Sequence, residues 1–157
     1  MSTRAETGAL GASGAAPAVS IVVPVYNESG NLAPLLDEIA AALAGRAWEV
    51  VAVDDGSTDG SFEELVALRV RHPSLRIVRF ARNAGQTAAF AAGFRAARGA
   101  VLVTMDADLQ NDPADVPAVL DALAQSGLEA AVGWRMNRRD TGWKLVQSRI
   151  ANGVRNR

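Results

Sequence analysis

The chain has 157 residues, of which 49% are hydrophobic and 21% are charged, a composition typical of one globular domain rather than a disordered segment. Its formal net charge of -1 gives no general attraction for nucleic acid, so we expect no nucleic-acid partner. Cysteine is absent and His72 is the single histidine, which excludes disulfides and thiolate nucleophiles. A Ser-His-Asp triad or a multi-histidine metal site is not expected either, because His72 precedes Pro73 in a predicted turn.

The two ends of the chain differ from its middle in composition. Residues 1–17 are rich in Ala, Gly and Ser and lack the apolar region of a signal peptide, so they predict a flexible tail. Residues 135–157 hold six arginines and one lysine against one acidic residue, and four of their apolar residues share one face of a predicted helix: Trp143, Val146, Ile150 and Val154. This pattern is typical either of an interfacial helix attracted to anionic lipid or of packing onto a further part of the domain. No apolar run is long enough to predict a transmembrane helix.

Between these ends, apolar runs alternate with amphipathic repeats. Five segments predict strands: 19–26, 48–54, 75–80, 100–106 and 128–134. The segments between them predict four helices: 31–43, 59–70, 85–99 and 113–127. This alternation predicts βαβ units and an α/β fold with a mainly parallel sheet.

Several residues predict where the helices begin and end. Asn31 is a candidate cap for the first helix, and Asp59 or Ser61 for the second. Glycine is the preferred residue where a helix stops, and it predicts the ends of the third and fourth helices at Gly99 and Gly127.

Polar, mainly acidic residues follow four of the predicted strands, at 26–28, 54–57, 82–85 and 106–110. Because ligands of parallel α/β sheets bind beyond the carboxyl ends of the strands, we predict the functional site at this edge. The sheet itself is apolar, so the site would be an acidic rim above a buried core.

Asp106 and Asp108 are the strongest candidates for chemistry. Strand residues two apart point the same way, and two carboxylates on one side repel each other unless a cation or a proton lies between them. Oxygen ligands favour Mg²⁺ or Mn²⁺ bridging to a diphosphate. A helix cap or a solvated turn is the structural alternative. The aspartate nucleophile of a phosphatase is another, which Gln110 disfavours because that motif usually carries Thr or Val there.

The other polar segments each allow a binding interpretation and a structural one. Asp54 and Asp55 could accept hydrogen bonds from a base or a ribose, or one of them could cap the next helix. Pro24 removes a ladder hydrogen bond from the first strand, which is unusual in a central strand unless the backbone leaves the sheet to meet a ligand. Gly85 opens a helix whose N-terminus favours anions, and Arg82 could pair with phosphate, although a solvated arginine is equally compatible.

Taken together, these segments resemble glycosyltransferase family 2. The resemblance rests on "SIVVPVYNESGNL", "VVAVDDGSTDGS", "RNAGQTAAFAAGFRAARGAVLVTMDADLQNDP" and "AVGWR", and it covers nearly the whole chain outside the first tail. Within that family the chain is most similar to the polyprenyl-phosphate hexosyltransferases of the dolichol-phosphate-mannose-synthase-like branch. No single motif is decisive, but the order and spacing of the four are highly specific together.

The resemblance implies a Rossmann-like GT-A fold for residues 18–134, a UDP- or GDP-sugar donor, and Mg²⁺ or Mn²⁺ as cofactor. It implies that Asp106 and Asp108 hold the metal and the donor diphosphate, with Gln110 as a further metal ligand. The positions that match the donor-binding segments of the family are Pro24, Tyr26, Asn27, Glu28, Asp54, Asp55, Gly56, Arg82, Gly85, Asp106, Ala107, Asp108 and Arg135. Among these, the resemblance assigns the nucleoside contact to Asp54.

The activity implied is an inverting transfer of a hexose to a polyprenyl phosphate, with peripheral membrane contact on the cytoplasmic face. Family members usually continue past the point that corresponds to Arg157, so the resemblance implies a donor half followed by the beginning of an acceptor half at 135–157. The alternative is therefore a catalytically incomplete module that binds nucleotide sugar. A metal-dependent phosphohydrolase using Asp106 as nucleophile is a third, weaker alternative.

Overall fold

Four parallel strands form one sheet in the computed structural model, which describes residues 16–133. They are β1 (Val19–Val25), β2 (Trp48–Asp54), β3 (Leu75–Arg79) and β4 (Val101–Thr104), in the spatial order β3-β2-β1-β4. The helices are α1 (Leu32–Ala42), α2 (Ser61–Leu68), α3 (Gln86–Ala96) and α4 (Val116–Ser126), the last preceded by a 3₁₀ turn at Pro113–Asp115. This arrangement confirms the predicted α/β class and its parallel sheet.

The prediction of a fifth strand at 128–134 is wrong for the part of it that the structure describes. Residues 128–133 have irregular backbone, and Leu128 and Val132 are 66% and 92% exposed. A strand requires a hydrogen-bonded neighbour, and within residues 16–133 no strand pairs with this segment. The apolar pattern alone was therefore not sufficient to form a strand.

The predicted end of the third helix is also wrong, although the glycine responsible has a clear role. Helix α3 ends at Ala96 rather than at Gly99. A Cβ atom at Gly99 would lie 2.6 Å from the backbone nitrogen of Ser20, so glycine permits the close approach of this turn to β1. Gly127 does end α4, in the left-handed conformation with φ 65°, as predicted.

Pro24 fits within β1 because its neighbour on one side ends early. Strand β4 pairs with β1 only from Val19 to Val22, and the Val22 carbonyl accepts a hydrogen bond from the Met105 N–H at 3.1 Å. Peptide groups of alternate residues face the same neighbouring strand, so Pro24 faces the side on which β4 no longer pairs. The hydrogen bond that proline cannot donate is therefore not needed, and β1 is open to solvent at this point.

The two faces of the sheet are covered unequally. Helices α1, α2 and α4 pack on one face and bury the main core, which includes Ile21, Leu35, Ile39 and Leu65. On the other face, α3 approaches closely through Ala89 and Gly93. A Cβ atom at Gly93 would lie 2.2 Å from a methyl carbon of Val22, so this helix can sit at its present distance only with glycine there. None of the helices in residues 16–133 is long and apolar enough to cross a membrane.

At the amino end of the sheet, Glu49 is a buried carboxylate with several hydrogen-bond donors. Its Oε1 accepts from the Ser20 hydroxyl at 2.7 Å and from the Arg98 backbone N–H at 2.7 Å, and its Oε2 accepts from the Arg98 guanidinium at 2.8 Å. Burial raises the pKa of Glu49, but the hydrogen bonds from Ser20 and Arg98 outweigh it and hold the pKa below its ordinary value. This carboxylate ties the end of α3 to β1 and β2, far from the polar edge.

We predict that Glu49→Gln lowers the free energy of unfolding by about 1–3 kcal/mol, because charge-assisted hydrogen bonds are lost. In this variant the Arg98 guanidinium loses its partner charge. Because the Arg98 side chain is half exposed and can be hydrated, the loss of stability is smaller than for a fully buried unpaired charge. Denaturant titration measures the effect, with Glu38→Gln on the exposed face of α1 as the control.

The same carboxylate makes a pH-dependent contribution. Folding lowers the pKa of Glu49, so ionised Glu49 stabilises the folded protein. This stabilisation is complete above the ordinary pKa of 4.5 and is lost as the pH falls through the lower pKa of the folded state. The difference in free energy of unfolding between wild type and Glu49→Gln should become smaller as the pH is lowered. If the two proteins were equally stable at neutral pH, or if their difference in stability increased in acid, ionised Glu49 would not stabilise the fold in this way.

Candidate functional site

A cleft of about 380 Å³ opens at the carboxyl edge of the sheet, between the ends of β1, β2 and β4. Eight of the residues predicted for donor binding line it: Pro24, Tyr26, Glu28, Asp55, Gly85, Asp106, Ala107 and Asp108. Three residues that the sequence did not single out also line it: Val25, Asn83 and Gln86. The loops after all four strands therefore meet at one site, as the parallel topology requires.

Asp106 and Asp108 lie on the same side of the loop after β4. Both are exposed to the cleft, whereas Ala107 between them is buried at 3% exposure. Asp106 Oδ1 accepts a hydrogen bond from Gln86 Nε2 at 2.9 Å, and Asp108 Oδ1 accepts from the Gln110 backbone N–H at 3.1 Å. Within residues 16–133, the described hydrogen bonds of both aspartates involve Oδ1, which leaves Oδ2 of each for a ligand from the cleft.

These two carboxylates fit a divalent cation that is shared with a ligand. Within residues 16–133, no group of three or more His, Cys, Asp or Glu side chains could hold a metal ion by itself. Mg²⁺ in proteins is often held by one or two carboxylates, with the remaining positions filled by water and phosphate oxygens. Asp106 and Asp108 match that arrangement, whereas the Gln110 side chain is exposed and does not line the cleft.

Asp54 and Asp55 are both buried, at 0% and 3% exposure, but they differ in their hydrogen-bond partners and in their position relative to the cleft. Asp54 is fully buried; its Oδ1 accepts from the Ser57 N–H at 3.2 Å and its Oδ2 lies 3.3 Å from Arg79 Nε without a well-aligned hydrogen bond. Asp55 lines the cleft, and its two oxygens accept from the backbone N–H groups of Ala84 and Gly85 at 2.7 and 2.9 Å. Of the two carboxylates, Asp55 is therefore the one within reach of a bound ligand.

The loop after β1 is fixed by residues of the next βα loop. Asn27 adopts the left-handed conformation with φ 57°, which asparagine tolerates better than most residues. Its backbone N–H donates to the Ser57 hydroxyl at 3.0 Å, and its side-chain oxygen accepts from the Thr58 N–H at 2.9 Å. Asn27 therefore joins the two loops, while Tyr26, 48% exposed, and Glu28 face the cleft.

Gly56 and the loop after β3 are in direct contact. Gly56 has φ 72°, and a Cβ atom there would lie 2.6 Å from the carbonyl carbon of Arg82. The Arg82 residue is exposed and its side chain does not line the cleft, whereas Gly85 does. Arg135, the remaining donor-binding prediction, lies outside the described residues.

Gln86 is the functional candidate that sequence reasoning missed. It is the first residue of α3, and its side-chain amide holds Asp106 across the cleft. Its sequence signal was that of an ordinary helix start, and only the packing of α3 on β1 and β2 brings it within hydrogen-bond distance of Asp106.

Comparison with known proteins identifies the family. Residues 20–156 match the family model described as glycosyl transferase family 2. This chain belongs to glycosyltransferase family 2. The match includes all four loops that line the cleft.

Two curated relatives of this glycosyltransferase-family chain are named as sugar transferases that act on lipid phosphates. The chain is 46% identical over 125 residues to the dodecaprenyl-phosphate galacturonate synthase of Rhizobium johnstonii, covering 78% of this chain and 37% of that protein. It is 45% identical over 137 residues to the undecaprenyl-phosphate 4-deoxy-4-formamido-L-arabinose transferase of Pseudomonas paraeruginosa, covering 85% of this chain and 40% of that protein. The chain thus spans about two fifths of the length of these relatives.

Solved structures of similar fold are GT-A glycosyltransferases. The mannosyltransferase PcManGT from Pyrobaculum calidifontis, solved with GDP-Man and Mn²⁺, has a TM-score of 0.62 at 31% identity, covering 70% of this chain and 33% of that chain. TarS of S. aureus, residues 1–349 with UDP, has a TM-score of 0.60 at 19% identity and covers 78% of this chain and 40% of that chain, which supports the fold alone. The GT-A fold expected from the sequence is confirmed.

We predict that Gly56→Ala destabilises the protein more than Gly60→Ala does. Both glycines have positive φ, 72° and 95°, so both substitutions carry backbone strain of about 1 kcal/mol. Only the Gly56 substitution would also push against the Arg82 backbone, because nothing lies within 4 Å of a Cβ atom at Gly60. We expect an additional loss of about 1–3 kcal/mol in the free energy of unfolding, measured by denaturant titration. Equal losses would show that the two loops are not packed tightly.

Proposed function

We propose that this chain forms the donor-binding part of an inverting glycosyltransferase that moves a hexose from a UDP- or GDP-sugar to a polyprenyl phosphate. The observation that carries the proposal is that Asp106 and Asp108 share one cleft with Tyr26, Glu28 and Asp55. The names of the relatives support the acceptor class, since both contain a polyprenyl phosphate. PcManGT, solved with GDP-Man and Mn²⁺, supports the donor class and the need for a divalent cation.

In this proposal Asp106 and Asp108 hold Mg²⁺ or Mn²⁺ together with the donor diphosphate. When bound, the cation neutralises the negative charge that develops on the departing nucleoside diphosphate. Gln86 orients Asp106 through its hydrogen bond, so that the second oxygen of Asp106 faces the cleft. Gln110, which the family resemblance implies as a further metal ligand, does not line the cleft, and its metal contact stays a prediction.

The nucleoside part of the donor would lie against the loop after β1. Tyr26 presents a half-exposed aromatic ring suitable for stacking on a base, and Asp55 presents a carboxylate for a base N–H or a ribose hydroxyl. Asp54 instead holds the turn that orients Asp55, because its carboxylate is fully buried and bonded to Ser57. Gly85, at the start of α3, leaves room beside the helix N-terminus for phosphate.

Transfer to a phosphate acceptor would need little base catalysis. An oxygen of the polyprenyl phosphate, already anionic, attacks the anomeric carbon while the bond to the nucleoside diphosphate breaks on the opposite side. The cleft residues then contribute positioning and charge stabilisation. Because the acceptor is a lipid, the reaction would occur at a membrane surface, on its cytoplasmic face if the donor is cytosolic.

A second reading is a module that binds nucleotide sugar but cannot complete transfer. It is favoured by one observation, that eight of the residues lining the described cleft are those predicted for donor binding. The basic segment 135–157, for which we propose acceptor or membrane contact, lies outside the described residues. Turnover of a radiolabelled sugar onto polyprenyl phosphate by this 157-residue chain separates the two readings.

We predict metal-dependent binding of UDP-glucose or GDP-mannose to the full chain, measured by isothermal titration calorimetry with and without Mn²⁺. Asp108→Asn should weaken the Mn²⁺-dependent affinity at least ~10-fold, because a ligand shared with the diphosphate is lost. Asp115→Asn is the matched control, since Asp115 is exposed nearby and its side chain makes no capping hydrogen bond. If the affinity for the nucleotide sugar changed neither on removal of Mn²⁺ nor on substitution of Asp108, the metal assignment would be wrong.

A further inference from the structure

The N-terminus of α1 is capped by a residue of another helix. Asn31 occupies the N-cap position, but its side chain makes no capping hydrogen bond and its φ of −88° and ψ of −22° are helical. Instead, Glu64 of α2 reaches across, and its Oε2 accepts from the Gly30 N–H at 2.8 Å while its Oε1 accepts from the Ala33 N–H at 3.3 Å. The Ser29 hydroxyl also donates to Glu64 Oε2, at 3.1 Å. Glu64 of α2 therefore makes the capping hydrogen bonds at the start of α1 that the sequence predicted for Asn31.

This replacement leaves the Asn31 side chain available for a different partner. Its Nδ2 donates to Glu28 Oε2 at 2.8 Å, and Glu28 lines the cleft. An asparagine that caps its own helix usually accepts from the N–H two or three residues on, and for Asn31 the first of these is the Ala33 N–H that Glu64 now satisfies. Turning the Asn31 side chain to bring its Oδ1 to the Ala33 N–H would displace Nδ2 from its present position 2.8 Å from Glu28 Oε2.

We propose that Glu64 is a positioning residue for the donor site: by capping α1 from outside, it allows Asn31 to hold the Glu28 carboxylate in the cleft. The inference deepens the proposed function and rests on it. Without Glu64, the unsatisfied Ala33 N–H competes for the Asn31 side chain, and Glu28 is released. Only those molecules in which the loop after β1 keeps its present arrangement then bind the donor nucleotide. The apparent dissociation constant rises in inverse proportion to their fraction.

The test compares Glu64→Ala with Glu63→Ala in the full chain. Both glutamates lie in the first turn of α2, so both substitutions remove one negative charge from the same helix N-terminus. Glu63 is exposed and, within the described residues, gives no hydrogen bond to the loop after β1. With UDP and GDP as probes in the presence of Mn²⁺, we expect Glu64→Ala to raise the dissociation constant about fivefold or more and Glu63→Ala to leave it unchanged.

A double-mutant cycle shows whether Glu64 acts through Asn31. If it does, Asn31→Ala and Glu64→Ala each weaken binding, and the double variant is little worse than either alone. Glu64→Gln, which retains one acceptor oxygen, should recover part of the affinity. A purely structural role for Glu64 would lower the unfolding midpoint and give additive effects with Asn31→Ala, and that result would overturn the proposal.

A ligand-free measurement separates failure of this inference from failure of the proposed function. In the unliganded protein, Glu64→Ala should accelerate amide hydrogen exchange at Gly30 and Ala33 and shift the NMR signals of the Asn31 side-chain amide, whereas Glu63→Ala should do neither. If wild type binds neither nucleotide but these changes occur, the proposed function fails and the capping link stands. If the Asn31 amide signals do not move, or if wild type and Glu64→Ala bind nucleotide equally, the inference is wrong.

Discussion

Side chains of neighbouring loops and of helix α2 satisfy several backbone N–H groups in the loops at the carboxyl edge of the sheet. Asp55 accepts from Ala84 and Gly85, and the hydroxyls of Ser57 and Ser61 accept from the loop after β1. Loops without regular structure cannot pair their own peptide groups, so without these bonds the cleft would have no fixed shape. The positions of Asp55 and of the loop after β1 depend on these hydrogen bonds, so residues outside the cleft influence what it can bind.

The charge of the cleft leads to the same functional conclusion as its shape. Glu28, Asp55, Asp106 and Asp108 all line it, and a nucleoside diphosphate is itself an anion. The charge of the Asp55 carboxylate is partly compensated by two backbone N–H groups, whereas one hydrogen bond is described within residues 16–133 for each of Asp106 and Asp108. Such a group of carboxylates repels a diphosphate unless a cation lies between them, and this electrostatic argument supports the proposed metal-dependent donor site.

The order of strands and helices was predictable because it depends on local periodicity, and so was the edge at which the acidic residues meet. The identity of the residues within reach of the cleft was only partly predictable. Asp54 and Asp55 are adjacent in sequence and both buried, yet only Asp55 lines the cleft, since successive residues at a strand end point to opposite sides. Asn31 carried a correct general signal for a cap, but a long-range contact from Glu64 overrode it. The segment 128–133 had a strand-like pattern without a neighbouring strand to pair with.

The most direct test of the cleft as a metal–diphosphate site is paramagnetic broadening of amide NMR signals by Mn²⁺ in the presence of UDP or GDP. The broadening depends steeply on distance from the ion, so it locates the metal without relying on catalysis. Signals of Asp106, Ala107, Asp108 and Gln86 should disappear first, and those of Glu49 at the opposite end of the sheet should persist. Broadening centred elsewhere, or broadening at Asp106 and Asp108 that is unchanged in Asp108→Asn, would contradict the assignment.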